Sequence, residues 1–329
     1  MSNGISVTKE EVQRSLDIIK NIQGYYYQRM VGQQHLGMSL LVTVMCNGHI
    51  LLESVPGLAK TTAAKTMTEA VNGSFSRIQC TPDLLPSDII GTQIFNYSTN
   101  SFDTKLGPVY ANFVLLDEVN RSSAKTQSAM LEVMQEYQTT IGGENYRMPD
   151  IFTVIATQNP IEQEGTYLLS EAQLDRFLIK EVITYPSAEE ECEILNRIEN
   201  SVFTKGDCVA NLEDLKFLQE TTKKVFIADA VKNYIVSIVD ATRHVDQVLP
   251  SNLAQYVEMG ASIRGSICLM ETSKAVALMS GRNYVTPEDV RRMIHGVLRH
   301  RISLNFAAVA DGVKEEDIIN AIVGAIPTP

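Results

Sequence analysis

Cysteine is scarce in this sequence: Cys46, Cys80, Cys192, Cys208 and Cys268 are spread over 329 residues. No pair has metal-ligand spacing, and an odd, scattered set does not suit a disulfide framework. Reduced thiols in the core of a cytoplasmic protein are therefore expected. Positive charge is also short. Lys and Arg total 28 against 39 Asp and Glu, a formal net charge of −11, which argues against general binding to nucleic acid or to an anionic membrane. Long apolar runs are missing. The longest, around Leu36 to Cys46, is too short and too polar to cross a bilayer. The N-terminus shows no basic-then-apolar signal pattern, and no long repeat or low-complexity tract appears. What remains is a globular composition, 44% hydrophobic, long enough for one large or two modest domains.

The chain is organised around Ser54-Val55-Pro56-Gly57-Leu58-Ala59-Lys60-Thr61. His49-Ile50-Leu51-Leu52 before it reads as a short buried strand. After it, Ala63, Ala64, Met67, Ala70 and Val71 share one helical face. Strand, tight loop and helix opening on Lys-Thr is the layout of a phosphate-binding loop. A helix start leaves N–H groups without intrahelical partners, and its dipole favours negative charge there. Lys60 adds a point charge, and Thr61 offers a hydroxyl to Mg²⁺. The strict pattern has glycine where Ser54 and Ala59 stand. Alanine at 59 is therefore expected to have a negative φ. If position 54 needs a positive φ, Ser54 is strained. The plainer alternative is a Pro-Gly turn followed by a surface lysine.

Elsewhere, Val12, Leu16, Ile19 and Ile22 form a helical stripe, with Thr8 as N-cap, Glu11 three residues on and Gly24 as its end. Val31-Gly32-Gln33-Gln34 leads into a second helix, to about Cys46. Further strands are expected at Phe75 to Cys80, Phe113 to Leu116, Ile151 to Thr157 and Phe177 to Thr184. Thr81 to Asp88 reads as a loop with a capped helical turn. Hairpins are expected near 94–105 and 139–148, and Ala129, Met130, Val133, Met134 and Tyr137 mark an amphipathic helix. Buried strands alternating with helices predict a parallel sheet covered on both faces, with sites at the strands' carboxyl ends. Tyr185-Pro186-Ser187 reads as a boundary: residues 1–186 form the α/β domain and 187–329 an all-helical one, with no good strand. Thr286 N-cap, Pro287 and Asp289 open its clearest helix.

Asp117-Glu118 follows an apolar strand. Asp117 can hold a Mg²⁺ shell, and Glu118 can polarise a water for in-line attack on a γ-phosphate; an acidic strand end capping the next helix is the alternative. Asn159 closes the neighbouring strand, where it can bond that water or form an Asn-Pro turn. Arg176, before the last strand, and Arg264, in the helical part, are candidate phosphate donors or ordinary surface arginines. Arg291, Arg292, Arg299, His300 and Arg301 form a basic cluster. In an acidic protein it is read as a surface docking on a neighbouring subunit rather than as a nucleic-acid patch.

Taken together, these blocks resemble the MoxR family of AAA+ ATPases over almost the whole chain, in the right order. They are Val55 to Thr61 (Walker A, with alanine before the lysine), Ile78 to Asp88, Leu116 to Arg121 (Walker B), Ala156 to Thr166 (sensor 1), Ser170 to Phe177 and Leu298 to Ile302. The resemblance implies a P-loop core with a five-stranded parallel sheet and a helical lid. It implies ATP hydrolysis with Mg²⁺ and a homo-oligomeric ring, commonly a hexamer. The nucleotide-binding set would be Val31, Gly32, Pro56, Gly57, Leu58, Ala59, Lys60, Thr61, Thr62, Asp117 and Arg264. Thr61 and Asp117 would serve Mg²⁺, Glu118 and Asn159 the attacking water, and Arg176 would be an arginine finger. The family is thought to act as chaperone-like remodellers that mature or insert cofactors into partner proteins, often with a von Willebrand factor A domain. Ser54 and Ile263 depart from its usual glycine and proline. A nucleotide-gated module with little turnover and a magnesium-chelatase-like or DNA-associated motor stay open beside this reading. Glu118 and the negative charge weigh against them.

Overall fold

A computed structural model describes residues 7–55, 57–160, 166–199 and 206–329. Helix α1 (Lys9–Arg29) begins at a capping box: Thr8 N donates to Glu11 Oε2 at 2.8 Å, and Glu11 N to Thr8 Oγ1 at 3.1 Å. It does not end at Gly24. Ile22, Tyr25 and Tyr26 on either side are buried, and their burial outweighs the roughly 1 kcal/mol that a helical glycine costs. Helix α2 (Gln34–Met45) then leads to β1 (Ile50–Glu53), and α3 (Lys60–Ala70) follows the loop.

The chain continues through β2 (Phe75–Gln79), α4 (Pro86–Ile90), the hairpin β3 (Gly91–Asn96) and β4 (Ser101–Leu106), and β5 (Phe113–Asp117). After these come α5 (Ala124–Glu136), the hairpin β6 (Gln138–Ile141) and β7 (Glu144–Arg147), β8 (Thr153–Gln158), α6 (Glu171–Leu174) and β9 (Ile179–Val182). Both hairpins stand where the sequence places them. The main sheet has the order β2-β5-β8-β1-β9. Pairing is parallel, with Leu116 opposite Ala156 and Leu52 opposite Thr157. All five residues of β5 are buried, as a central strand with both faces covered requires. Val114 and Leu116 pack toward Met130, Leu131 and Met134 of α5. The other face of β5 meets α3.

By contacts the chain divides into two units: 20–177 with 181–216, and 1–19 with 178–180 and 217–329. The first holds β2, β5, β8 and β1 of the sheet, and α7 (Ala188–Glu199), beyond the boundary expected at 186. In the second, α8 (Leu212–Lys224, shared between the two), α9 (Asp229–Arg243), α10 (Val245–Val248) and α11 (Ser251–Ala254) precede β10 (Val257–Met259). Helices α12 (Ile263–Met279) and α13 (Pro287–Leu298), β11 (Ser303–Leu304), α14 (Phe306–Asp311) and α15 (Glu315–Ala325) complete it. α12 packs on both α9 and α13. The Thr286 cap is as expected: Asp289 accepts from Thr286 N at 2.8 Å and forms a two-pronged pair with Arg282. The helical part is not strand-free, because β10 and β11 form a short antiparallel ladder.

Candidate functional site

The loop after β1 is anchored before it turns, with Ser54 N donating to Gln158 O of β8 at 3.1 Å. Gly57 has φ +87° and Ala59 has φ +53°, ψ 24°. The negative φ expected at Ala59 is thus corrected. The residue sits in the left-handed region, where an L side chain costs about 1–2 kcal/mol. A left-handed residue directly before a helix turns successive N–H groups toward one point, which is why the motif has glycine there. Ser54 is not among the positive-φ residues, so it carries no such strain. Ala59 gives α3 no side-chain cap, leaving the first-turn N–H groups for an anion. Lys60 Nζ lies 3.4 Å from Ser54 O. Thr61 is half-buried and Thr62 exposed. Pro56 lies outside the described residues.

A cavity of about 350 Å³ opens beside the loop. Met30, Val31, Leu58, Pro186, Ile194 and Ile198 give it apolar walls, and Gly57, Ala59 and Thr62 line its loop side. That volume and lining suit a nucleobase with its sugar. Gly32, at φ +64°, holds the neighbouring turn; a Cβ there would come within 2.7 Å of the Glu190 carboxylate. The walls from α7 were not foreseen, although Ile194, Leu195 and Ile198 are an apolar stripe in an otherwise acidic segment.

The carboxyl end of β5 carries a connected polar network. Thr157 on β8 donates its hydroxyl to Asp117 Oδ1 at 2.9 Å and accepts Glu118 N at 2.9 Å. Arg77 on β2 donates to Asp117 Oδ2 from Nη2 at 2.5 Å and from Nε at 3.1 Å. Its Nη2 also donates to Gln79 Oε1 at 3.2 Å. Gln79 Nε2 in turn donates to Glu118 Oε2 at 3.1 Å, and Arg121 Nε stands 3.2 Å from the same oxygen. Glu118 itself is left-handed, at φ 58° and ψ 54°, a strained backbone of the kind that gathers at working sites. Burial pushes the thiol of neighbouring Cys80 up to about 12, so it is a neutral wall. Arg77 was not singled out from sequence, and Gln79 and Thr157 entered only as members of longer blocks without a role. Alternating polar residues on a strand look like an ordinary solvated edge until their partners are known.

Asn159 is buried at the end of β8, beside the strand that carries the loop. The loop, Asp117, Glu118 and Asn159 therefore share the carboxyl edge of the sheet. With neighbouring strands about 4.8 Å apart, the ends of β1 and β5 stand roughly 10 Å from each other. Arg176 does not join them. It precedes β9, whose far end is fixed beside that of β1 by Ile183 N donating to Glu53 O at 2.9 Å. Arg176 Nε is enclosed without a hydrogen-bond partner among the described residues. Arg264 lies in the first turn of α12, where its N–H is capped by Ser262 Oγ at 3.1 Å. Residues 161–165 of the sensor 1 segment lie outside the described ones.

Two surface expectations are corrected. His300 and Arg301 are buried, and Arg299 is paired with Glu316 at 3.0 Å. Only Arg291 and Arg292 of the basic cluster are exposed. Arg301 instead donates to backbone carbonyls of Val297 and Leu178, joining elements of its own unit. None of the five cysteines is in a disulfide, but only Cys80 is a core thiol; Cys192 and Cys208 are exposed.

Residues 49–179 match the family model described as ATPase family associated with various cellular activities (AAA), and 251–322 match the AAA lid domain. The chain is 44% identical over 328 residues to Chaperone MoxR1 of Mycobacterium tuberculosis, covering 100% of this chain and 85% of that protein. It is 43% identical over 302 residues to YeaC of Bacillus subtilis, with 91% of each covered. The crystal structure of a protein from Cytophaga hutchinsonii, assigned as an ATPase, superposes with TM-score 0.91 at 42% identity over 97% of both chains. An anion-ready helix start, a base-sized cavity and an Asp-Glu pair on one sheet edge, together with likeness along the full chain, place this protein in the MoxR family of AAA+ ATPases.

Proposed function

We propose that the protein hydrolyses ATP with Mg²⁺ and uses the energy to remodel a partner protein, in the manner of a chaperone. The carrying observation is the shared edge: the open α3 terminus and the Asp117-Glu118 pair flank Asn159 within one sheet. In this reading Val31 and Gly32 border the base, and residues 57–62 wrap the phosphates. Lys60 meets the ground-state charge. Thr61 and Asp117 hold Mg²⁺, which supplies charge neutralisation at the phosphate oxygens. The residues present fit that ion: a hydroxyl at the helix start and a carboxylate whose orientation Thr157 fixes. Glu118 orients and deprotonates the attacking water, with Asn159 as its second hydrogen-bond partner. Arg176, remote from this edge, serves the nucleotide of a neighbouring subunit in a homo-oligomeric ring, commonly a hexamer in this family. Arg264 is assigned to the nucleotide by the family pattern. A client with a von Willebrand factor A domain fits the family pattern, as does action in the cytoplasm. Among the described residues no helix is long and apolar enough to cross a membrane.

Lys60→Ala and Glu118→Gln separate binding from chemistry. Lys60→Ala should abolish ATP binding. Glu118→Gln should bind normally yet lose hydrolysis, because Glu118 acts only on the water. Affinity and turnover measured separately check this, and near-normal turnover in Glu118→Gln would sink the mechanism. The same variant with ATP is the trap for recovering the client.

A further inference from the structure

Asp117 is 12% exposed at its side chain, and its two oxygens have different partners. Oδ1 accepts the Thr157 hydroxyl, a contact enclosed within the sheet. Oδ2 accepts two donors from Arg77, whose side chain is 49% exposed. A buried carboxylate needs a compensating cation. Here the cation is a guanidinium on the outermost strand, free on its solvent side to withdraw into water. Because Thr157 holds Oδ1, Oδ2 can change partner without the carboxylate rotating.

We propose that Arg77 is a placeholder cation that occupies Asp117 Oδ2 in the absence of Mg²⁺ and is exchanged for the hydrated ion when Mg-nucleotide arrives. Resting on the reading that Asp117 serves Mg²⁺, this adds a positioning residue which that reading did not contain. The exchange is a competition of one carboxylate oxygen between two cations: Arg77 gives up its two hydrogen bonds to Oδ2, its N–H groups turn to water, and no covalent bond changes. It has two opposite consequences. Arg77 raises the Mg²⁺ concentration needed to load the site. It also shields ATP lacking Mg²⁺ from the Asp117 charge. The same guanidinium holds Gln79 at 3.2 Å, and Gln79 donates to Glu118, so its loss also disturbs the water-orienting carboxylate.

The test measures binding of a fluorescent ATP analogue to the full chain, first in EDTA and then across a Mg²⁺ titration at fixed nucleotide. A half-exposed, two-pronged ion pair is worth about a 2- to 5-fold change in an equilibrium. Arg77→Ala should therefore lower the Mg²⁺ half-saturation by about 2- to 5-fold and weaken Mg-free binding by a similar factor. Arg77→Lys, which keeps the charge but not the fork, should fall between. Hydrolysis at saturating Mg²⁺ should drop in Arg77→Ala even as metal loading improves. A role confined to holding β2 in shape would weaken binding in both media, and that result overturns the proposal. An unchanged or raised Mg²⁺ half-saturation does so too. Asp117→Asn separates the two readings. If it raises the Mg²⁺ half-saturation while Arg77→Ala leaves it alone, only the placeholder fails. If Asp117→Asn leaves the Mg²⁺ dependence unchanged, the metal role of Asp117 falls and the placeholder with it. In Arg77→Ala/Asp117→Asn, the Arg77 effect should vanish.

Discussion

Replacing Ala59 by glycine tests the left-handed turn at the head of α3. At φ +53° and ψ 24° an L residue bears about 1–2 kcal/mol that glycine does not. Glycine in turn widens the unfolded ensemble, which takes back roughly 0.4–1 kcal/mol. The balance is a stabilisation of about 0.5–1 kcal/mol, or roughly 1–4 °C in the melting temperature. The Ala59 methyl is exposed to the cavity, so its removal empties no packed space. With a turn that is left-handed in the free and bound states, relief of strain lowers both alike. The Kd for ATP should then stay within about twofold. Ser54→Gly is the matched control. Ser54 is buried and lacks a positive φ, so glycine there should destabilise by roughly 0.5–1 kcal/mol and not tighten nucleotide. Thermal melts of the nucleotide-free protein and titration with a fluorescent nucleotide give both numbers. If Ala59→Gly left the melt unchanged but tightened ATP fivefold or more, the loop would flip on binding, and the preformed cradle would be refuted.

Arg176→Ala should bind ATP, assemble and hydrolyse poorly, since an arginine finger is worth ~10³–10⁵ in rate. Mixing it with inactive Lys60→Ala should restore activity at interfaces that pair an intact loop with an intact finger; co-assembly without recovery at any ratio removes the trans assignment. His49 is buried, with Nδ1 accepting Val154 N–H and Nε2 donating to Met134 O, both at 3.0 Å. Desolvation depresses its pKa from 6.5 to about 4. The unfolded chain therefore takes up the proton first: His49's contribution is complete above pH 6.5 and is lost as pH falls toward 4. That loss is about 2 kcal/mol at pH 5 relative to pH 8, and the unfolding free energies from urea titration at the two pH values should converge in His49→Gln by that amount. Asp289→Ala removes a cap and strands Arg282, whose Nη2 lies 2.6 Å from Oδ1. With Arg282 partly exposed, the expected loss is about 2–4 kcal/mol in chemical denaturation, and a loss under about 1 kcal/mol would mean solvent screens the pair.

Features set by neighbouring residues were legible in the chain itself. Phe113-Val114-Leu115-Leu116 has one reading as a central strand, and Thr286-Pro287 with Asp289 one reading as a helix start, because period and capping act within a few positions. The strand-loop-helix around Lys60-Thr61 and the strand end at Asp117-Glu118 were legible for the same reason, and their placement at strand ends followed from parallel topology. Conformations imposed from outside were not. Ala59 takes a positive φ against its own preference because the turn between β1 and α3 demands it. Gly24 stays helical because Ile22 and Tyr26 find a core. His300 and Arg301 look like surface charge in the sequence, yet folding encloses them. The contact of Arg77 with Asp117 spans 40 positions. Composition and spacing carry no term for such a pair; it exists only because parallel pairing sets Gln79 opposite Asp117 and so brings Arg77, on the same face of β2, within reach of that carboxylate.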